Sequence, residues 1–576
     1  MNTRTSLPGR PRAVALAACV AAAFLALTEP AHAGEVRLQV VELANVASTA
    51  ASVNDLGQVV GWQLDASGET SRAVLWQNGG TIWLTQGQGP LWSQARAINN
   101  AGQIAGMVGA LDNVWTARGA TWAADTWQLS MLPDSGHAMP STTVSGINDS
   151  GLIVGQTRMA SGIAHAVAWR DGQMIDLGSQ GIQADSYSAA YDVNRWGQIT
   201  GTGLPTAGGA GHTPLIWTAG AGNTFTVTGS WQGLALNDIG QVTGMQAIGD
   251  AANHRLVPIL MQGDTVTRML PGDAEGYFTE LNNATQAIGQ DGFQNAMVWS
   301  PSGGGVLLNQ RLAGGSVPVR YLTSINQLGQ MTAVTANDRA ALITPTGTLD
   351  WQGSGTGWFN DPARWDSGLG FSPNRFLDAR IAGNGTDRNA LGVADDLLVK
   401  SLLVGTGTGT SRLILLEGGR ISTLQGARVV DGGRLAMASV SDAIFATGRI
   451  GGRLQVQGGG GLEFRASRPD DVNYDRLVVD GLLQIDGGTF FLDMTGAPPV
   501  HLGDSYDFLD WETLAGRFDA LSLPALPEGL AWDSSRLYVD GVLSVQAVPE
   551  PASWALWLGG VGLWAGRRLR GRGNPH

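Results

Sequence analysis

One nine-residue phrase recurs seven times along the chain, and its spacing restricts the fold more than any other property. "INDSGLIVG" occupies 147–155, and close variants read "VNDLGQVVG" (53–61), "INNAGQIAG" (98–106) and "LNDIGQVTG" (236–244). Its asparagine stands at Asn54, Asn99, Asn148, Asn194, Asn237, Asn282 and Asn326, at intervals of 43–49 residues. A period of this size marks a repeat architecture. Each unit runs an apolar strand into the asparagine, turns, and leaves on a second strand. The turns carry Asn54 and Gly57, Asn99 and Gly102, Asn148 and Gly151, Asn194 and Gly197, Asn237 and Gly240. Asn, Asp and Gly suit such turns because they tolerate positive φ or bond to their own backbone. A third strand follows, often ending in Trp, as in "RAVLW" (72–76) and "HAVAW" (165–169). A fourth short strand completes the unit, as in "QMIDL" (173–177). Four strands in about 45 residues is the content of one β-propeller blade.

Seven units predict an all-β, seven-bladed β-propeller over 34–348, with an open β-solenoid as the rival. "RLQVVEL" (37–43) precedes the first unit and lacks three strands of its own. It is expected to complete the last blade beside "RAALI" (339–343). The last copies depart from the pattern, with Thr285 in place of the turn Gly and Ala333 at the end of the phrase. Composition agrees with turn-rich β structure: Gly is 83 of 576 residues, about twice the usual ~7%.

The period stops near 350. Over 349–547 short apolar strands alternate with Gly turns, as in "SRLILLEGGRISTL" (411–424). Stacked rungs of a β-helix produce that pattern, and a sandwich is the alternative. Trp351, Trp358 and Trp365 open this domain at seven-residue spacing.

Both termini read as targeting segments. Arg4, Arg10 and Arg12, an apolar run over 13–27, and "AHA" at 31–33 form a signal peptide over 1–33, with cleavage set by Ala31 and Ala33. "LAAC" (16–19) also fits a lipoprotein box, but the apolar run continues past Cys19. Cleavage after Ala33 would leave no cysteine, and so no disulfide or thiolate chemistry. At the other end, 548–576 place Pro549, Glu550 and Pro551 before an apolar stretch (552–566) and then Arg567, Arg568, Arg570 and Arg572. As a helix the stretch would reach about 22 Å, short of the ~30 Å bilayer core. Trp554, Trp557 and Trp564 suit the interface, and the arginines stay on the cytoplasmic side. A single, weakly spanning C-terminal transmembrane helix is expected.

The "IN-x-x-GQ-x-x-G" phrase, with "HAV" at His165, Ala166 and Val167, resembles the extracellular HAF repeats of bacterial secreted proteins. The Pro-Glu-Pro tail resembles the PEP-CTERM sorting signal closely. The two likenesses imply an exported protein, held transiently at the inner membrane and then placed at the cell surface or outside the cell. They imply an exosortase-type membrane enzyme as partner and a Gram-negative host that makes exopolysaccharide.

Chemistry is harder to find. The net charge is −13 and the one lysine is Lys400, which argues against nucleic-acid binding. Neither H-E-x-x-H nor G-x-S-x-G occurs. His165, His212 and His254 recur at blade-equivalent places and read first as polar strand starts. The Asp after the repeat asparagine gives way to Asn100, Arg195 and Gln327, so a repeated metal site is not expected. No cofactor is expected. The function expected is a non-catalytic surface or extracellular-matrix protein that binds or structures exopolysaccharide or biofilm matrix. A propeller hydrolase or lyase acting on that polysaccharide, and an adhesin, are the alternatives.

Overall fold

The computed structural model describes residues 36–548 apart from 86–90, 111–112, 180–185, 204–212, 219–223, 227–230, 250–254, 353–354, 383–387, 392–395, 406–408, 439–444 and 470–472. The first 28 strands form seven four-stranded antiparallel sheets. Blade 3 is representative: Thr143–Ile147, Ile153–Arg158, Ala164–Arg170 and Gln173–Asp176, in that order. Six blades are built from consecutive strands. Blade 7 takes Val319–Ile325, Met331–Thr335 and Ala340–Thr346 from the end of the ring and Arg37–Glu42 from its start, with Val40 opposite Ile343. The two ends of the repeat thus close on each other, as expected for a propeller.

The first strand of every blade lines a central channel. Each carries a register shift against the second strand, at Ala50/Ser52, Ala95/Ala97, Val144/Gly146 and equivalent places. The residue opposite the shift is the last Gly of the repeated phrase, for example Gly155 opposite Val144. A Cβ on Gly155 would lie 2.0 Å from Thr143 O, and on Gly61 1.9 Å from Thr49 O, so these bulges leave no room for a side chain; blade 7 carries Ala333 at the equivalent place, opposite Leu322. The turn Gly, three residues after the asparagine, takes positive φ in every copy that has one; Thr285 keeps the same backbone at φ 60°. The third-strand tryptophans fill the seams between blades. Trp122 packs with Val60 and Leu75 of blade 1, and Trp217 with Val154 and Ala168 of blade 3.

From Thr348 the pairing becomes parallel. Three strand stacks run in register as the faces of a β-helix. One runs through Asp378–Ile381, Ser401–Val404, Ala427–Val429 and Leu454–Gln457. The second runs through Ser411–Leu416, Gly433–Ala438, Gly461–Arg465 and Thr489–Asp493. The third runs through Asp396–Val399, Arg420–Thr423 and Thr447–Gly451. The strand Arg476–Asp486 serves two faces, its first half beside Thr447–Gly451 and its second beside Leu454–Gln457. It bends at Gly481, where a Cβ would meet Gly452 O at 2.5 Å. A small antiparallel sheet, Ser505–Asp507, Val542–Ala547 and Leu530–Asp533, follows. The parallel rungs decide for the β-helix over the sandwich.

Ring and β-helix share one apolar core. Ile288, Leu322 and Ile343 of the last blades join Trp351, Phe359, Trp365 and Phe371. Trp351 and Trp365 meet edge to face at 5.1 Å and are buried, whereas Trp358 is exposed. Polar bonds cross the junction: Gln286 Nε2 donates to Leu369 O, Asn374 Nδ2 to Leu328 O, and Arg375 Nη2 to Asp55 O. Among the described residues no helix is long and apolar enough to cross a membrane. The transmembrane segment expected over 552–566 lies outside the described residues.

Candidate functional site

The repeat asparagines meet at the channel wall. Asn54 Nδ2 donates to Asn99 O at 3.1 Å, Asn99 to Asn148 O at 3.0 Å, and Asn148 to Asn194 O at 2.9 Å. Asn194, Asn237 and Asn282 continue the series, and Asn326 Nδ2 returns to Asn54 O at 2.9 Å. Seven hydrogen bonds thus run once around the ring. Each asparagine also organises its own turn. Asn148 Oδ1 accepts from Ser150 N and Leu152 N, and Asn54 Oδ1 from Leu56 N and Gln58 N. The Gln of "GQ" accepts the second amide hydrogen, as Gln58 does from Asn54 at 2.7 Å and Gln103 from Asn99 at 2.8 Å.

The variable position after the asparagine forms a second, incomplete ring. Asp55 N donates to Asn100 Oδ1, Asn100 N to Asp149 Oδ1, Asp238 N to Asn283 Oδ1, and Gln327 N to Asp55 Oδ1. Asp, Asn and Gln all present a side-chain oxygen, which is why they interchange. Arg195 has none, and no bond from Asp149 N to its side chain closes that step. The turn residues Asn54, Gly57, Asn99, Gly102, Asn148, Gly151, Asn194, Gly197, Asn237 and Gly240 are therefore brought together as architecture.

Among the described residues no histidine lines the channel. His165 lies on the third strand of blade 3, buried, with Nδ1 at 3.1 Å from both carboxyl oxygens of Asp176. His137 Nδ1 bonds within its own loop to Met139 N and O. His212 and His254 lie outside the described residues, as do Ala31, Ala33, Pro549, Glu550, Pro551, Trp554, Trp557, Trp564, Arg567, Arg568, Arg570 and Arg572. Among the described residues no group of three or more His, Cys, Asp or Glu could hold a metal ion.

Chemistry the sequence reading missed sits in the channel, a cavity of about 810 Å³. Two residues before each asparagine the chain reads Ser52, Ala97, Gly146, Asp192, Ala235, Glu280 and Ser324. Five are small and two are acids, on blades 4 and 6. Asp192 is anchored, with Oδ1 accepting from Val193 N at 2.7 Å and Oδ2 from Leu236 N at 2.9 Å. Glu280 has no hydrogen-bond partner for its carboxyl among the described residues. Burial, and then the nearby Asp192, raise the Glu280 carboxyl well above the ordinary carboxylate range. Burial raises Asp192 too, against the pull of its two backbone bonds. Both residues border the lumen and are half-buried. One layer further from the asparagines stands Arg96 on blade 2. Its guanidinium lies over the Trp62 ring, 4.6 Å from the centroid, and burial lowers its pKa. Its Nε is buried without a hydrogen-bond partner, and no carboxylate pairs with it among the described residues. Aligning the seven units on their asparagines would have found the two acids as breaks in a small-residue column, and Arg96 as the one charged residue in the column before it.

No protein-family model matches the chain, and no curated protein matches it. Among solved structures, the β-propeller domain of the Trilobed protease from Pyrococcus furiosus is similar at 11% identity and a TM-score of 0.36, over 51% of this chain and 92% of that one. The acylaminoacyl peptidase of Pyrococcus horikoshii is similar at 11% identity and a TM-score of 0.35; the chain spans about half of it, 52%, and 52% of this chain is covered. The gluconolactonase XC5397 of Xanthomonas campestris is similar at 14% identity and a TM-score of 0.29, over 53% of this chain and all of that one.

Proposed function

We propose that this chain is an exported, non-catalytic protein of the cell surface or extracellular matrix, which binds or structures exopolysaccharide. On this reading residues 1–33 direct export. Residues 548–576 hold the chain briefly at the inner membrane through the apolar stretch, and an exosortase-type enzyme processes it at Pro549, Glu550 and Pro551. The observation that supports the reading best is the use made of the repeat's polar residues. The asparagine of each unit, and the oxygen-bearing residue after it in all but blade 4, bond to a neighbouring blade or to their own turn. What recurs seven times is construction, so the repeated units supply a rigid carrier instead of seven copies of a catalytic device.

A polysaccharide-cleaving propeller is the second reading. It is favoured by one observation, the carboxyl pair Asp192 and Glu280, of which Glu280 holds its proton well above the ordinary range. A proton donor beside an anchored carboxylate is the equipment of general acid catalysis on a glycosidic bond.

The sorting half of the proposal is tested by deleting 549–572 and fractionating the cells. The truncated chain should leave the surface fraction for the medium. An unchanged distribution would remove the anchor from the account.

A further inference from the structure

We infer that the axial channel is a binding site for a sugar acid, a ligand that carries one carboxylate and several hydroxyls. The inference deepens the polysaccharide-binding reading and rests on it.

The ring closes without charge in most positions of the two layers that precede the asparagines. In the layer of Asp192 and Glu280, five of seven blades manage with Ser, Ala or Gly. In the layer of Arg96, blades 1, 3, 6 and 7 carry Ala51, Ser145, Thr279 and Thr323, and blades 4 and 5 carry the uncharged Tyr191 and Leu234. Small side chains leave the lumen open, and in these two layers the charged residues are Asp192, Glu280 and Arg96; Asp55, Asp149, Arg195 and Asp238 line the cavity at the level of the turns. Burying an ionisable group is unfavourable unless it is paired. Asp192 is satisfied by two backbone amides, but Arg96 Nε is buried without a partner, and no hydrogen bond reaches the Glu280 carboxyl among the described residues. Partners missing from the fold are expected from a ligand.

The geometry specifies the ligand's chemistry. The Arg96 guanidinium sits 4.6 Å from the centroid of the Trp62 ring, which holds it at the lumen wall. A guanidinium so placed matches a carboxylate, which takes two parallel hydrogen bonds from it. Blades 4 and 6 offer a different pair. Asp192 accepts hydrogen bonds, and a protonated Glu280 both donates and accepts. Hydroxyl groups, each donor and acceptor, fit that pair. A neutral sugar would leave Arg96 unpaired. A cation at the carboxyls would leave it unpaired as well. A molecule with a carboxylate for blade 2 and hydroxyls for blades 4 and 6 satisfies all three. The cavity of about 810 Å³ is within the range of small-molecule sites.

The test is calorimetric titration of the purified chain with trigalacturonate, galacturonate, maltotriose (neutral) and chitotriose (cationic). Trigalacturonate should bind, and Arg96→Gln should weaken it roughly tenfold or more, as loss of a desolvated charge pair does. Arg96→Lys, which keeps the charge without the fork, should restore part of the affinity. Circular dichroism should find the ring of both variants intact. Binding of galacturonate with the same Arg96 dependence would identify a free sugar acid as the ligand; binding of the trimer alone would identify the chain. Equal affinity for maltotriose, binding untouched by Arg96→Gln, or no binding of either acid overturns the inference. Should the protein retain acidic polysaccharide regardless of Arg96, the matrix-binding reading stands and the channel is not its site.

Discussion

Asn148 carries three jobs in one side chain: it bonds to the next blade, caps its own turn and holds the strand that leaves it. It is buried, so truncation would leave donors and acceptors without water. Asn148→Ala should therefore lower the stability of the ring by about 1–3 kcal/mol, read by chemical denaturation. The repeated phrase made this asparagine conspicuous, yet its partner is another blade's carbonyl, which no linear reading reveals. The residue after it looked merely variable; the fold shows that a side-chain oxygen is what the position keeps, with Arg195 the exception. The channel acids give a second prediction at this scale. Glu280 faces Asp192, which in turn faces Asp238, and burial leads both raised pKa values. A carboxyl whose folded pKa is raised stabilises the fold fully below its unfolded pKa, and that contribution is lost as pH rises through the folded value. Glu280→Gln should thus raise the melting temperature at pH 8 and have little effect near pH 4. An equal shift at both pH values would mean that Glu280 is ordinarily solvated.

At the scale of the element, the bulge in each inner strand and the Gly opposite it are one device. Gly155→Ala places a Cβ 2.0 Å from Thr143 O. The strands must part, and overpacking of this kind costs about 1–3 kcal/mol. The terminal Gly of the phrase was legible as a repeat position, but its reason was not, because a bulge is a property of two strands. The β-helix was legible as alternating strands and Gly turns. Its distinction from a sandwich was not, since parallel and antiparallel pairing write the same local pattern. Asp475 marks one of its corners: fully buried, it accepts from Ala446 N and from the amide and guanidinium of Arg465. Asp475→Ala strands those donors and should cost at least about 2 kcal/mol, with cooperative loss of near-ultraviolet ellipticity. The carboxyl's own pKa is raised by burial despite these bonds, so Asp475→Asn should be the milder change.

The whole molecule depends on a closure made by residues hundreds of positions apart. Glu42 accepts from Thr335 Oγ1, Asn337 Nδ2 and Arg339 Nη1, tying the first strand of the ring to its last blade. Removing 37–42 should open blade 7 and broaden thermal unfolding. That the first strand completes the last blade could be read from its lack of a unit of its own. What could not be read is the way the β-helix takes over the core of blades 6 and 7, because Trp351, Trp365 and Phe371 belong to no repeat. Nor could the channel chemistry, which lies in three departures from the repeat on three different blades. The central claim is that this assembly holds polysaccharide without cutting it. The most direct measurement incubates the purified chain with acidic exopolysaccharide, recovers the complex and sizes the recovered polymer. Retention of polymer at its original length is the predicted result; shortened chains or new reducing or unsaturated ends would contradict it.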